Sequence, residues 1–329
     1  MNKVKKLILF LCFMTFAVAK EPLNVAIIAP WPVPALMSFF TNANIIYMPK
    51  ASMNAYKNSL AAFFHPENLK AKNDNEPNLE ELLLLKADLY ICPVSNPKLC
   101  NALKQAGVKV LELSVNKDNY SSKAVLEAWL TELSAYFDIK EKSQKLIAKT
   151  SEVENLIASR LEKNNIKEDQ KIRAIIIMTY ENKRIVLSGL FANYLLQKSG
   201  AINLYTDTNI SLVNLEELYT LNPDVIYLTN FSPAMPQDLI NAKEWQGLKA
   251  VQNKRVYKLP LATYRSFAPN LDLPMVLEFM ALKNYPQIFK DIDIKAEYKK
   301  HFKEFYNLNL DENQLNGILN PSRAAGETK

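Results

Sequence analysis

The chain has 329 residues, 49% of them hydrophobic and 22% charged, and a formal charge of +6. That composition fits one large or two medium globular domains and excludes disordered, collagenous and multi-span membrane classes. Its six glycines, Gly107, Gly189, Gly200, Gly247, Gly317 and Gly326, lie too far apart for a Walker loop or a GxGxxG turn, and with only His65 and His301 there is no HExxH and no histidine-rich zinc site. GxSxG is missing too, so standard nucleotide-binding enzymes and the common hydrolases fit poorly.

Residues 1–19, MNKVKKLILFLCFMTFAVA, put Lys3, Lys5 and Lys6 ahead of an apolar run from Leu7 to Phe13 and close on Ala17-Val18-Ala19, the order of a cleavable secretory signal peptide. The apolar core is shorter than the roughly 20 residues of a spanning helix, and Cys12 follows Leu11 rather than the small residue that precedes a lipidated cysteine. Cleavage leaves Lys20 first and removes three lysines, which takes the charge from +6 to +3, too mild for a nucleic-acid partner. It also removes Cys12. In an exported, oxidising compartment the remaining Cys92 and Cys100 are expected to form a disulfide, since a thiolate metal site would lack a third and fourth ligand nearby.

In the mature chain, Leu23–Ala29 (LNVAIIA) reads as a strand ending at the turn Pro30-Trp31-Pro32-Val33-Pro34. A helix over Ala35–Thr41 and a strand over Asn44–Tyr47 follow. After the polar stretch Lys70–Asn78 come a helix (Leu79–Leu85), a strand (Asp88–Cys92), a helix (Pro97–Ala106) stopped by Gly107, and a strand (Val108–Leu113). The alternation predicts a parallel sheet with helices on both faces. From Ser121 to Asn164 there is neither Gly nor Pro, and Val125, Trp129, Leu133 and Phe137, then Leu146, Val153, Leu156 and Leu161, recur at helical spacing. Two helices are predicted, breaking near Asp138, the second about 36 Å long. Alternation then restarts: strand Ile172–Met178, helix Leu190–Ser199, helix Leu215–Leu221, strand Asp224–Thr229 and strand Arg255–Leu259. Residues 320–329 read as a flexible tail.

An internal echo links the halves. Asn78–Cys92 (NLEELLLLKADLYIC) and Asn214–Leu228 (NLEELYTLNPDVIYL) agree at seven of fifteen positions with an offset of 136. Asn78 and Asn214 are expected N-caps, and the glutamates after them sit in the positive field of a helix start.

These segments resemble the periplasmic substrate-binding proteins of ABC importers for iron-siderophore, haem, cobalamin and related metal chelates. NLEELLLLKADLYI is similar to that family's NLE-x-(I/L)-x-x-L-x-P-DL(V/I) segment, with Ala87 where Pro is usual, and SGLFANYLLQKSGAINLY, NLEELYTLNPDVIYLTN, WQGLKAVQNKRVYKLP and LEFMALKNYPQIFKDIDIKAEYKKHFKEFYNLNL follow in the family's order. The resemblance implies two doubly wound α/β lobes joined by one long rigid helix, with the ligand cleft between them. On this frame the leader is 1–19, the N-terminal lobe 20–139, the helix 140–164, the C-terminal lobe 165–319 and the tail 320–329. It further implies a periplasmic monomer that takes a metal chelate, most of all a ferric siderophore, to an inner-membrane permease, with no cofactor of its own and no catalysis. Haem, cobalamin or a nickel or cobalt chelate are the alternative cargoes, and an exported hydrolase the alternative class.

Ligand residues are expected in loops at the strand ends: Trp31, Tyr47 and Lys50 in the first lobe, and Tyr180, Lys183, Arg184, Tyr264, Arg265 and Phe267 in the second. Aromatic faces suit a planar or catecholate ligand and the cations its negative charge. Tyr264 and Arg265 are expected in an exposed loop, where substitution would leave stability nearly unchanged. His65 reads as a loop or structural histidine, His301 as solvent-exposed, and Trp129 and Trp245 as core. Glu80 and Glu216 match the family's permease-docking acidic positions, although Glu81 and Glu217 repeat as well.

Overall fold

A computed structural model describes residues 21–75 and 78–327; the leader and Lys20 lie outside the described residues. The first lobe runs β1 (Asn24–Ile27), α1 (Val33–Phe40), β2 (Asn44–Tyr47), α2 (Lys50–Lys57), α3 (Leu60–Phe64), α4 (Leu79–Leu84), β3 (Leu89–Pro93), α5 (Pro97–Gln105), β4 (Val110–Leu113) and α6 (Ser122–Leu133). Its four strands are parallel in the order β2-β1-β3-β4. β1 and β3 bury nearly every residue, as strands covered by helices on both faces must. α2 and α3 fill a stretch for which the periodicity gives no element.

α7 (Lys140–Lys163) is the long connecting helix. It buries Ser143, Leu146, Thr150, Val153, Ile157 and Leu161, a stripe at three- and four-residue steps that packs on α6 and on α12 (Leu273–Asn284) of the second lobe. Glu154, midway along it, ties the lobes together. Its carboxylate accepts from Lys123 Nζ of α6 at 2.7 Å and from the Tyr194 hydroxyl of α8 (Leu190–Lys198) at 2.6 Å.

The second lobe continues with β5 (Arg173–Glu181), β6 (Arg184–Leu187), α8, β7 (Ile202–Asn203), β8 (Ser211–Val213), α9 (Leu215–Leu221), β9 (Val225–Leu228), α10 (Pro236–Ile240), α11 (Lys249–Gln252), β10 (Val256–Lys258), α12, α13 (Ile294–Tyr306) and α14 (Glu312–Leu319). Strand order is β10-β9-β5-β6-β8, with β7 also on β5. β10, β9, β5 and β7 are parallel, but β6 and β8 pair antiparallel. The sequence reading misses this edge because the turn is carried by Asn182 and Lys183, both left-handed (φ 50° and 63°), with no glycine to mark it.

Two further expectations are corrected. His301 is buried, not exposed: it stacks against Phe305 at 4.9 Å, its Nε2 lies 3.2 Å from the Tyr306 hydroxyl, and burial pushes its pKa down to about 3. The charged neighbours in EYKKHFKEFY sit on the other faces of α13, whose buried face is Tyr298, His301, Phe302 and Phe305. Nor is 320–327 a free tail. Residues 323–326 form a 3-10 turn with Ala325 and Gly326 buried, and Arg323 makes paired 2.6 Å bonds to Asp238.

Candidate functional site

The strands β1, β3 and β4 of one lobe and β9 of the other end at a shared cleft of about 250 Å³, which β5 lines through Met178. From the first lobe, the turn after β1 presents Ala29, Pro30, Trp31 and Pro32, the end of β3 gives Pro93 and Ser95, and the loop after β4 gives Val115. Ser52 Oγ of α2 donates to the Trp31 carbonyl at 2.9 Å, and the Trp129 indole N–H donates to the Ser114 carbonyl at 2.7 Å. Both bonds fix loops whose sequences carry no regular structure.

The second lobe supplies Met178, Leu190, Phe191, Phe231, Tyr264, Phe267, Ala268 and Pro269. Phe267 meets Phe191 and Phe231 edge to face at 6.1 and 6.3 Å, the geometry aromatic quadrupoles favour. Thr229 holds Phe231 in place, its hydroxyl accepting from the Phe231 N–H at 3.0 Å and donating to the Met178 carbonyl at 2.6 Å. The loop after β10 is buried along its length, so its backbone needs internal partners. Asn230 donates to the Leu259 and Pro260 carbonyls, Ser266 to Pro260, and the Asp272 carboxylate accepts from the N–H and hydroxyl of Thr263 at 2.7 and 2.6 Å.

The cleft therefore gathers three of the expected residues, Trp31, Tyr264 and Phe267, and none of the expected cations lines it. Arg265 touches the lining through Phe231: it is buried, its guanidinium 4.6 Å from that ring, with Nη2 donating to the Ala325 carbonyl. Tyr264 and Arg265 are thus not in an exposed loop, and substituting either disturbs packing as well as the cleft. The Tyr264 hydroxyl is buried without a partner among the described residues. Tyr180, Lys183 and Arg184 line a separate second-lobe groove with Trp245, to which the β5–β6 hairpin carries them. Tyr47 is buried on the far side of the first-lobe sheet with Leu82 and Tyr90, and burial, then Asp74 and Glu81, push its phenol up to about 12. Lys50 opens α2, where its N–H donates to the Asp74 carbonyl, away from the cleft lining.

A family profile described as periplasmic binding protein matches residues 46–263, two thirds of the chain. The chain belongs to this family. A curated relative, the molybdate-binding protein MolA of Haemophilus influenzae, is 22% identical over 260 residues, 73% of each chain. Among solved structures, a periplasmic solute binding protein from Veillonella parvula has a TM-score of 0.77 at 25% identity, covering 93% of this chain and 94% of its own. Helicobacter pylori CeuE with Ni(II) bound has 0.68 at 24%, covering 91% and 95%. At that coverage, this periplasmic binding protein shares its two-lobed α/β fold with those structures.

Trp129, Phe191 and Phe231 are cleft residues the sequence reading did not assign. Phe231 stands just past a strand, the same signal that marks Tyr264; Trp129 lies mid-helix, and its burial in the core hides its second role. Among the described residues no three His, Cys, Asp or Glu side chains cluster to hold a metal ion, and no helix is long and apolar enough to cross a membrane. Cys92 and Cys100 are joined in a disulfide, their Cα atoms 5.9 Å apart. At the two repeated helix starts, Glu81 pairs with Lys72 at 2.6 Å and Glu217 closes a capping box with Asn214, while the exposed Glu80 and Glu216 side chains have no partner among the described residues.

Proposed function

We propose that this periplasmic binding protein captures a compact metal chelate of low net charge in the aromatic cleft and delivers it to an ABC importer. A single observation carries the reading: the cleft is walled by aromatic rings, prolines and aliphatic side chains, with no charged side chain in its lining. A chelate whose metal charge is cancelled by its own ligand shell turns an organic face outward, and ring faces bury that surface without desolvating a protein charge. A ferric siderophore with a neutral coordination shell fits, as does a nickel chelate, in keeping with the Ni(II) bound in the CeuE structure. A bare oxyanion such as the molybdate of MolA fits poorly, because its charged oxygens call for donors and Ser95 and Tyr264 bear the only side-chain hydroxyls in the lining. Trp31, half-exposed at the rim, and Phe267 are the first ligand contacts, and Glu80 and Glu216 the permease contacts.

Tryptophan quenching tests the reading, with Trp129 of the cleft lining as the reporter retained when Trp31 is replaced, against a neutral ferric siderophore, Ni(II)–histidine, haemin, cyanocobalamin and molybdate. Saturable binding of a chelate, weakened tenfold or more in Trp31→Ala, is the expected result, that loss corresponding to about 1.4 kcal/mol of buried ring contact. Tight binding of molybdate and of no chelate would overturn it.

A further inference from the structure

Two loops, 229–235 with Phe231 and 260–272 with Tyr264 and Phe267, form part of the second-lobe wall of the cleft, and the end of the chain packs against both. Gly326 packs so closely on Ser232 and Pro233 that a Cβ there would overlap the Ser232 carbonyl. Ala325 accepts a 2.8 Å bond from Arg265 Nη2, which leaves the guanidinium over the outer side of Phe231. Arg323 grips Asp238 through two 2.6 Å bonds and reaches the Pro233 carbonyl at 3.2 Å, and Asp238 in turn accepts from the Met235 N–H at 2.8 Å. Lys258 donates to the Ser232 and Ala234 carbonyls. The same terminal segment rests against α2 of the first lobe, so it touches both lobes.

We infer that residues 323–327 are a working part of the binding site: through Ala325 and Arg265 they set the position of Phe231, and Arg265 and Arg323 are positioning residues for the ligand wall. The inference rests on the cleft being the ligand site. Its physical basis is the isolation of Arg265. Among the described residues Nη2 has one carbonyl and Nε none, so the guanidinium stays under Phe231 only while the terminal segment supplies that carbonyl and covers it. Without the segment a buried cation would lack a partner and turn toward water, and Phe231 would lose its backing.

Amide hydrogen exchange on the full chain, on a chain ending at Ser322 and on Arg323→Gln provides the test. Exchange at 229–235 and 260–268 is expected to quicken about tenfold or more in the shortened chain, and by less in Arg323→Gln, which keeps Ala325 in place. Strands β1 and β3 and helix α7 should exchange as in the parent. Parent-like exchange at the two loops would overturn the inference, and so would uniform acceleration through both lobes, which would make the segment a general stability element. Arg323→Gln separates these outcomes if the shortened chain does not fold. None of these measurements needs a cargo, so a failed chelate titration and a failed positioning role are told apart.

Discussion

In the first lobe Asp88 accepts from the Asn24 N–H at 2.8 Å and returns its own N–H to the Asn24 carbonyl; in the second, Asp224 does the same with Arg173 at 2.9 Å. Lys86 and Asn222, equivalent in the repeat, both end their helices in the left-handed region (φ 51° and 41°). The repeated helix-strand unit thus fixes where each parallel strand starts beside its neighbour. The lobes part company just after it. Cys92 and Cys100 brace the turn that leaves β3, whereas the second lobe has Leu228 and Pro236 at the matching positions and braces its turn with Lys258, Asp238 and Arg323. Past β10 the second lobe has chain with no counterpart, and that chain brings Tyr264, Phe267, Ala268 and Pro269 to the cleft. Repetition sets the frame, and the unrepeated loops set the chemistry.

The largest expected effect lies in that unrepeated chain. His301, held down to about 3 by burial, takes up fewer protons folded than unfolded below its ordinary pKa of about 6.5. Its stabilisation is complete above that value and is lost as pH falls toward 3, at up to about 1.4 kcal/mol per pH unit. Asp272 and Glu278, pushed up by burial to about 6 and about 7, act in the opposite direction: their stabilisation is present below about pH 4 and lost as pH rises through 6 to 7. In His301→Leu the loss of stability on acidification from pH 6.5 to 4 should therefore shrink or reverse, as read by urea unfolding at several pH values. A parent-like slope would put His301 in water.

Breaking the first lobe's brace should come next. Reduction of Cys92–Cys100 is expected to cost about 2 kcal/mol, with unfolding measured with and without reductant and the bond checked by a mass change of two hydrogens. Two free thiols in protein taken from the periplasm would remove this contrast between the lobes.

Asp88→Ala and Asp224→Ala probe what the lobes share. Each leaves a strand-start N–H without its carboxylate, and about 1–2 kcal/mol is expected from each. Asp224 should be the costlier. Burial pushes its pKa up, but the Lys249 ammonium and the Arg173 N–H outweigh this and hold it below the ordinary carboxylate range. Its contribution is present above that range and fades as pH falls through the lowered value. Equal costs that do not vary with pH would show that Lys249 adds nothing.

The strands of both lobes, the long helix and the repeat are legible because each rests on local periodicity or on an Asn cap that carries its own signal. The lining of the cleft is less so. Tyr264 and Phe231 announce themselves as aromatics past strand ends, but Lys183 and Arg184 look the same and are carried elsewhere by a hairpin whose left-handed Asn-Lys turn leaves no glycine signature. Arg265 reads as a ligand cation because sequence cannot show that Phe231 stands in front of it and Ala325 behind it. The burial of His301 follows from α13 packing on Phe39 of the first lobe through Phe302 and Tyr306, a long-range contact without local trace.

The smallest expected effect on stability separates the two glutamates of each repeated helix start. Glu81 and Glu217 have work inside the fold, an ion pair and a capping box, so Glu81→Ala with Glu217→Ala should lower stability by roughly 0.5–1 kcal/mol and leave uptake alone. Glu80 and Glu216 have no such work, and their removal should change stability by no more than the helix-dipole contribution of a few tenths of a kcal/mol. If these free carboxylates meet cations on the permease, Glu80→Ala with Glu216→Ala should cut uptake on the order of tenfold while chelate affinity stays at the parent value. Each single variant sharpens the comparison further, because unequal losses would show that one lobe bears more of the docking than the other. Unchanged uptake in the double variant would confine both carboxylates to the helix dipole.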